Sequence, residues 1–246
     1  VGAATIVLDL DGVVWLAGQE IPGASRAVEL LRTNGRRVLF VTNNSSPTLQ
    51  QMRDRLGRIG IEADDEEIIT AAIAAASVLL PASSAHVIGD RGVHEAVERA
   101  GVTISTERPD AVVVGWERSF TFDGIALAAT NIRSGARFIA TNDDPTHPTA
   151  EGLLPGTGAL VAAIATAAEA TPLIAGKPGR PTIDLILQRS DGIEWCIGDR
   201  PSTDGALAAA LGVPFGLVRS EATPVSDHRV DQVADSLLEL VEGILA

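Results

Sequence analysis

The chain has 246 residues, enough for one large domain or two modest ones, and 46% are hydrophobic, so a substantial core is expected. A net charge of −13 would repel a phosphate backbone, which argues against nucleic acid as a partner. No stretch approaches membrane-spanning length, no basic-then-apolar signal opens the sequence, and the single Cys196 rules out an intrachain disulfide, so the expectation is a cytoplasmic protein with no membrane attachment.

Near the start, Thr5-Ile6-Val7-Leu8 leads into Asp9-Leu10-Asp11-Gly12-Val13. The short apolar run reads as a strand buried on both faces. Side chains alternate along a strand, so Asp9 and Asp11 point the same way at its end, and Gly12 lets the chain turn. Two carboxylates this close resist joint ionisation. That suits a nucleophile beside a general acid, or two ligands around a cation; a solvated Asp-rich turn is the plain alternative. A Ca²⁺ loop also begins Asp-x-Asp, but its fifth and sixth positions would be Val13 and Val14, and a strand precedes it rather than a helix.

Residues 22–35 read as a helix, with Ala24, Ala27, Val28 and Leu31 in an apolar stripe and Gly35 as the stop. Val38–Thr42 is a second buried strand, ending in Thr42-Asn43-Asn44-Ser45-Ser46-Pro47. Ser46 and Pro47 suit the cap and first residue of a helix running to about Gly60. Asp64 with Glu67 makes a capping box leading into the Ala-rich 71–80. Pro81-Ala82-Ser83-Ser84-Ala85 reads as a linker, and a second α/β rhythm follows. Its strands are expected at 86–88, 111–114 and 138–141, and its helices at 92–100, 122–135 and 157–169. After Thr171-Pro172 the first rhythm resumes: Leu173-Ile174-Ala175 runs into Gly176-Lys177-Pro178, and a helix follows near 181–189. A strand at 194–197 then runs into Gly198-Asp199-Arg200, followed by a helix from Ser202 to Leu211, a strand at 214–218 and a closing helix at 235–245. The expected fold is α/β: a parallel-sheet core from 1–81 and 173–246, interrupted by an inserted α/β module at 82–172.

Four stretches share one design, an apolar run with polar residues at its end: Asp9/Asp11, Thr42-Asn43-Asn44, Lys177 and Asp199. Strand ends at one edge of a parallel sheet converge. Together these residues offer carboxylates for Mg²⁺, a hydroxyl and amides for phosphate oxygens, and one ammonium. Eighteen of the nineteen basic residues are Arg, so the single Lys177 suggests a place that needs a compact point charge. A carboxylate attacking a phosphate monoester meets about 4 kcal/mol of repulsion per charge pair at about 4 Å and an effective dielectric constant near 20. A hard cation and a lysine offset that repulsion.

Asp9-Leu10-Asp11-Gly12-Val13, Thr42-Asn43-Asn44-Ser45, Gly176-Lys177-Pro178 and Gly198-Asp199-Arg200 with Thr203-Asp204 resemble, in order and spacing, the four motifs of the haloacid dehalogenase (HAD) superfamily. The chain further resembles the NagD-like class IIA branch, including a cap stretch from Ala140-Thr141-Asn142-Asp143-Asp144-Pro145 through Gly152 to Leu160. The resemblance implies a Rossmann-like HAD core, with 82–172 as an inserted class II cap. It implies a Mg²⁺-dependent phosphomonoesterase acting on a small-molecule phosphate ester. Asp9 would be the nucleophile and Asp11 the general acid and then base. Thr42, Asn43 and Asn44 would hold phosphate oxygens, with Lys177 neutralising charge. Asp9, the carbonyl of Asp11 and Asp199 would ligate Mg²⁺, and Asp204 would act through them.

His147 stands where some NagD-like relatives place a substrate-contacting histidine; a solvated loop residue is the alternative. Asp204 in the first turn of a helix could equally serve the helix dipole, Asn43-Asn44 could be only a turn, and Asp199 only a helix cap. Trp15 is read either as a wall of the site or as packing. Glycerol 3-phosphate is the favoured substrate, with sugar phosphates, nucleotides and pyridoxal phosphate as alternatives. A dehalogenase of the same superfamily has no call for Asp11, and a phosphometabolite-binding module without turnover has little use for a general acid or a cap. Relatives often pair through their caps, so a homodimer formed there is also an expectation.

Overall fold

The computed structural model describes residues 3–16, 18–149, 152–220 and 229–246. It divides into two compact units, one of Val1–Thr42, Gln51–Ile69 and Thr182–Ala246, the other of Asn43–Gln50 and Thr70–Pro181.

A six-stranded sheet organises the first unit, in the order Gln232–Ala234, Phe215–Val218, Ile193–Gly198, Thr5–Leu8, Arg37–Thr42, Ile68–Thr70. The pairings across the first five are parallel. Thr5–Leu8 is buried at every residue, as an Ile/Val/Leu run in a sheet covered on both faces must be. Its register sets Leu8 beside both Ile197 and Phe40, so Asp9 leaves the sheet between the ends of two neighbouring strands. The Asp9 N–H donates to the Ile197 carbonyl at 2.9 Å, which carries the pairing one residue past the strand. Val7, Leu39, Ile186, Cys196, Leu207 and Phe215 fill one side of this sheet; full burial of such aliphatic or aromatic side chains stabilises by about 1.5–3 kcal/mol each. The expected helix spans Ala24–Thr33 and buries Ala24, Ala27, Val28 and Leu31.

The second unit carries a five-stranded sheet in the order Leu173–Ile174, Arg137–Ala140, Ala111–Val114, Ser84–Ile88, Thr103–Ile104, with parallel pairings throughout. The helices Phe122–Arg133 and Thr157–Ala168 pack on it around Ile88, Val112, Ala128, Phe138, Leu160 and Ile164. An antiparallel hairpin pairs Thr146–Thr149 with Gly152–Pro155.

Three local readings change. Leu173–Ile174, expected to open the resumed core, pairs with Ile139–Ala140 in the second sheet; two residues carry no periodicity that could tell one sheet from another. The Asp64/Glu67 box forms, with the Asp64 N–H donating to Glu67 at 3.2 Å, but it caps a single 3₁₀ turn at Asp65–Glu67, and the strand Ile68–Thr70 follows before the helix Ala71–Ala76. The helix expected after Ser46-Pro47 begins at Leu49.

Candidate active site

In the first unit, Asp9, Asp199 and Asp204 each present a carboxylate oxygen within 4.8 Å of the others. All three residues are buried, at 8%, 3% and 1% exposure. Asp9 and Asp199 stand just past two adjacent parallel strands, Thr5–Leu8 and Ile193–Gly198. Asp204 comes from the single wide turn Pro201–Gly205 that precedes the helix Ala206–Leu211, so the expected ordinary first helical turn is a π-type turn instead. Its carboxylate accepts the Arg200 N–H at 3.1 Å.

Two glycines make room for this cluster. A Cβ on Gly198 would stand 2.2 Å from Asp204 Cγ, and one on Gly12 would stand 2.3 Å from Asp199 Oδ2. Gly12 also has φ +86°, a backbone region that disfavours side chains. Ser220, two residues past the strand Phe215–Val218, donates its hydroxyl to Asp199 Oδ2 at 2.8 Å. Sequence reasoning did not single out Ser220; its only signal was a polar residue just past a core strand.

Three carboxylates gathered and buried this way repel one another and lose hydration. Hard oxygen donors at such spacing fit a hard divalent cation such as Mg²⁺. Asp204, expected to act through the metal ligands, thus brings its own carboxylate within 4.8 Å of those of Asp9 and Asp199.

The Asp11 carboxylate takes a different course. Asp11 is exposed. Its Oδ1 accepts Trp15 Nε1–H at 2.9 Å and its Oδ2 accepts the Thr42 hydroxyl at 3.2 Å. Trp15 is 2% exposed, so it packs in the core and orients Asp11 through its indole N–H. Thr42, 3% exposed, closes the strand Arg37–Thr42.

The other sequence-predicted residues belong to the second unit. Asn43 Nδ2 donates to the Lys177 carbonyl and to Asp144 Oδ2, both at 3.3 Å. Asn44 Oδ1 accepts the Ser46 N–H at 3.1 Å, the turn-forming contact weighed for this stretch. Lys177 is 3% exposed, far from the usual surface location of a lysine. It follows Gly176, where a Cβ would stand 2.6 Å from both Asn43 Oδ1 and the Thr141 carbonyl. His147, on the hairpin, lies with its ring centroid 4.6 Å from that of Trp116, tilted by 30°, and Trp116 Nε1–H donates to the Pro155 carbonyl at 2.9 Å. Burial raises the Asp90 carboxyl above its usual range, with Ser46 the largest opposing influence, Glu117 adding to the rise and His147 and His94 partly opposing it.

Further contacts lock the 43–50 segment to the second unit. Asn142 Nδ2 donates to the Asn43 carbonyl at 2.7 Å. The Ser45 hydroxyl accepts from Thr141 Oγ1 at 3.2 Å and from the Trp116 N–H at 3.5 Å. Gly92 N–H donates to the Ser46 carbonyl at 2.9 Å, and Leu49 N–H to Glu95 at 2.8 Å. Neither Asn142 nor Trp116 carried an assigned role in the sequence.

Residues 6–103 match a family model described as Haloacid dehalogenase-like hydrolase, and residues 174–240 match one described as HAD-hydrolase-like. A protein of Bacillus subtilis (strain 168) named 5'-nucleotidase YutF is 34% identical over 250 residues, covering 97% of each chain. The structure of glycerol phosphate phosphatase Rv1692 from Mycobacterium tuberculosis in complex with magnesium superposes with a TM-score of 0.86 at 33% identity, covering 97% of this chain and 76% of that one. NagD from E. coli K-12 superposes with a TM-score of 0.86 at 28% identity, covering 97% of this chain and 98% of that one.

Proposed function

This chain belongs to the haloacid dehalogenase-like hydrolase family, in its NagD-like branch, and is a phosphoric monoester hydrolase; from that premise we propose a Mg²⁺-dependent reaction through an aspartyl-phosphate on Asp9. The observation that carries the proposal is the buried Asp9/Asp199/Asp204 cluster, with Asp9 and Asp199 at the ends of adjacent parallel strands. Asp9, Asp199 and Asp204 would hold the cation, whose charge would offset that of the phosphate and stabilise the transition state.

The chain's own groups do the rest. The Asp9 carboxylate attacks phosphorus as the ester P–O bond breaks. Asp11 gives its proton to the departing alkoxide, then takes one from the water that cleaves the phosphate from Asp9. The products are the alcohol and inorganic phosphate, and both carboxyls return to their starting states. The hydrogen bonds from Trp15 and Thr42 support this role by fixing the orientation of Asp11. Thr42, Asn43 and Asn44 bind phosphate oxygens, and the Lys177 ammonium balances the charge of Asp9 and phosphate. Residues 82–172 act as the cap, with His147 a substrate contact on its hairpin.

Glycerol 3-phosphate is the proposed substrate, supported by the likeness to the mycobacterial glycerol phosphate phosphatase. The test compares kcat/KM for glycerol 3-phosphate, sugar phosphates, nucleoside monophosphates, pyridoxal phosphate and p-nitrophenyl phosphate, with Mg²⁺ and with chelator. The proposal expects chelator to abolish turnover and glycerol 3-phosphate to lead the physiological set. Preference for a nucleotide would overturn the substrate, and turnover in chelator would overturn the metal requirement. Binding of phosphate esters with no turnover at all would leave the non-turnover module.

A further inference from the structure

Asn43 and Asn44 are separated by one peptide group, and its direction decides whether the Asn44 N–H can serve a phosphate oxygen. Cis peptides among the described residues are confined to Lys177-Pro178, so the Asn43–Asn44 bond is trans. In a trans peptide the carbonyl and the following N–H point in opposite directions. Whatever holds the Asn43 carbonyl therefore aims the Asn44 N–H the other way.

That carbonyl accepts Asn142 Nδ2 at 2.7 Å, across 99 residues of sequence. The orientation of the Asn142 amide is itself fixed, because its Oδ1 accepts the Asp144 N–H at 3.1 Å, which leaves only the NH₂ group to face Asn43. Asn142 is 4% exposed, so little water is at hand to replace the bond. Asp144 adds a second tie through Asn43 Nδ2, which also donates to the Lys177 carbonyl. The Asn43 carbonyl and side chain are thus each tied to the 142–144 loop, the side chain to the Lys177 carbonyl as well.

We propose that Asn142 is a positioning residue for phosphate binding: its amide pins the Asn43–Asn44 peptide so that the Asn44 N–H faces the phosphate. This rests on the assignment of Asn43 and Asn44 to phosphate under the function proposed above. Asn142 touches neither phosphate nor metal in this scheme and acts through the peptide alone.

The test uses Asn142→Leu, which keeps size and adds no charge, and Asn142→Gln, which restores an amide on a longer arm. Calorimetry with inorganic phosphate and Mg²⁺ gives a phosphate Kd independent of turnover, and kcat and KM are read on p-nitrophenyl phosphate. In Asn142→Leu the phosphate Kd should rise about tenfold or more, the worth of a buried hydrogen bond. Its kcat/KM should fall by about 10²-fold, as expected of a misplaced donor. Mg²⁺ affinity without phosphate should hold, since Asp9, Asp199 and Asp204 belong to the other unit. Asn142→Gln should recover part of the loss. Phosphate Kd and kcat/KM both within about threefold of wild type would overturn the proposal, and so would parallel losses of phosphate binding, Mg²⁺ binding and thermal midpoint, which would mark general damage. Should the Leu variant not fold, Asn142→Ser is read against the same criteria. The phosphatase reading fails separately, on absence of Mg²⁺-dependent turnover by wild type.

Discussion

The acidic cluster of the first unit and the asparagine segment of the second reach their polar arrangements by opposite means. Asp9 and Asp199 follow directly from their own strands, and the parallel register alone sets them side by side. The orientation of Asn43 depends on Asn142, Asp144 and Lys177, which are 99 to 134 residues distant in the chain. A carboxylate at a strand end inherits its place from the sheet, whereas a peptide group in a turn must be held by side chains from elsewhere. The cluster should therefore fail through its own residues and their immediate glycines, and the segment through remote ones.

The largest effect is expected at Asp9. Asp9→Asn would remove the proposed nucleophile and a proposed metal ligand with little change in volume, and kcat should fall by at least about 10³-fold with the fold retained by circular dichroism. Several per cent residual kcat in a sample free of wild-type enzyme would remove the acidic cluster from the chemistry.

Lys177→Arg comes next. The chain uses Arg for eighteen of its nineteen basic residues, so a surface lysine would tolerate the change. Lys177 is instead 3% exposed beside a glycine that leaves no room for a Cβ. The wider planar guanidinium should displace its neighbours, and a shift of about 1 Å can cost about 10²-fold in kcat/KM. Wild-type kinetics in this variant would show that charge alone suffices there.

The placement of these two residues just past apolar runs was legible from sequence because its signal is local: an apolar run, an acid or a lysine, and a glycine. The alternation of sheet and helix was legible for the same reason, since Val, Ile and Leu runs of four to six residues declare buried parallel strands. What sequence did not carry was partnership across the chain. Nothing in Asn142 or Ser220 alone points to Asn43 or Asp199, and Leu173–Ile174 is too short to show which sheet it joins. The indirect role expected of Asp204 came from the family resemblance, and nothing local in the sequence shows that the wide turn at Pro201–Gly205 brings its carboxylate within 4.8 Å of those of Asp9 and Asp199.

Gly198→Ala sharpens the contrast at the cluster. Its Cβ would press on Asp204 Cγ and Cβ, 2.2 and 2.3 Å away, so the carboxylate must move. Mg²⁺ affinity by calorimetry should drop by about 10–100-fold, the usual cost of disturbing the supports of a metal site. Unchanged affinity would exclude Asp204 from metal binding.

The smallest effect concerns the stability of the second unit. His86 is 6% exposed, and burial lowers its pKa. Asn131 Nδ2 donates to the Thr106 carbonyl and faces His86 Nδ1, each at 3.2 Å, which requires that nitrogen to be an unprotonated acceptor. The unfolded chain then binds more protons than the folded one below about pH 6.5, so stability should fall as pH drops through that region, by up to about 1 kcal/mol per pH unit. Urea midpoints between pH 7.5 and 5.5 measure the slope, and His86→Asn should flatten it. An identical slope in the variant would assign it to other groups.

The central claim, covalent catalysis by Asp9, is tested most directly by trapping. Enzyme turning over p-nitrophenyl phosphate with Mg²⁺ is quenched into borohydride, which reduces an acyl phosphate to the alcohol, and the digested chain is weighed peptide by peptide. The account predicts homoserine at position 9, dependent on substrate and absent from Asp9→Asn. Steady turnover that leaves position 9 unreduced, or that places the modification on another carboxylate, would contradict it.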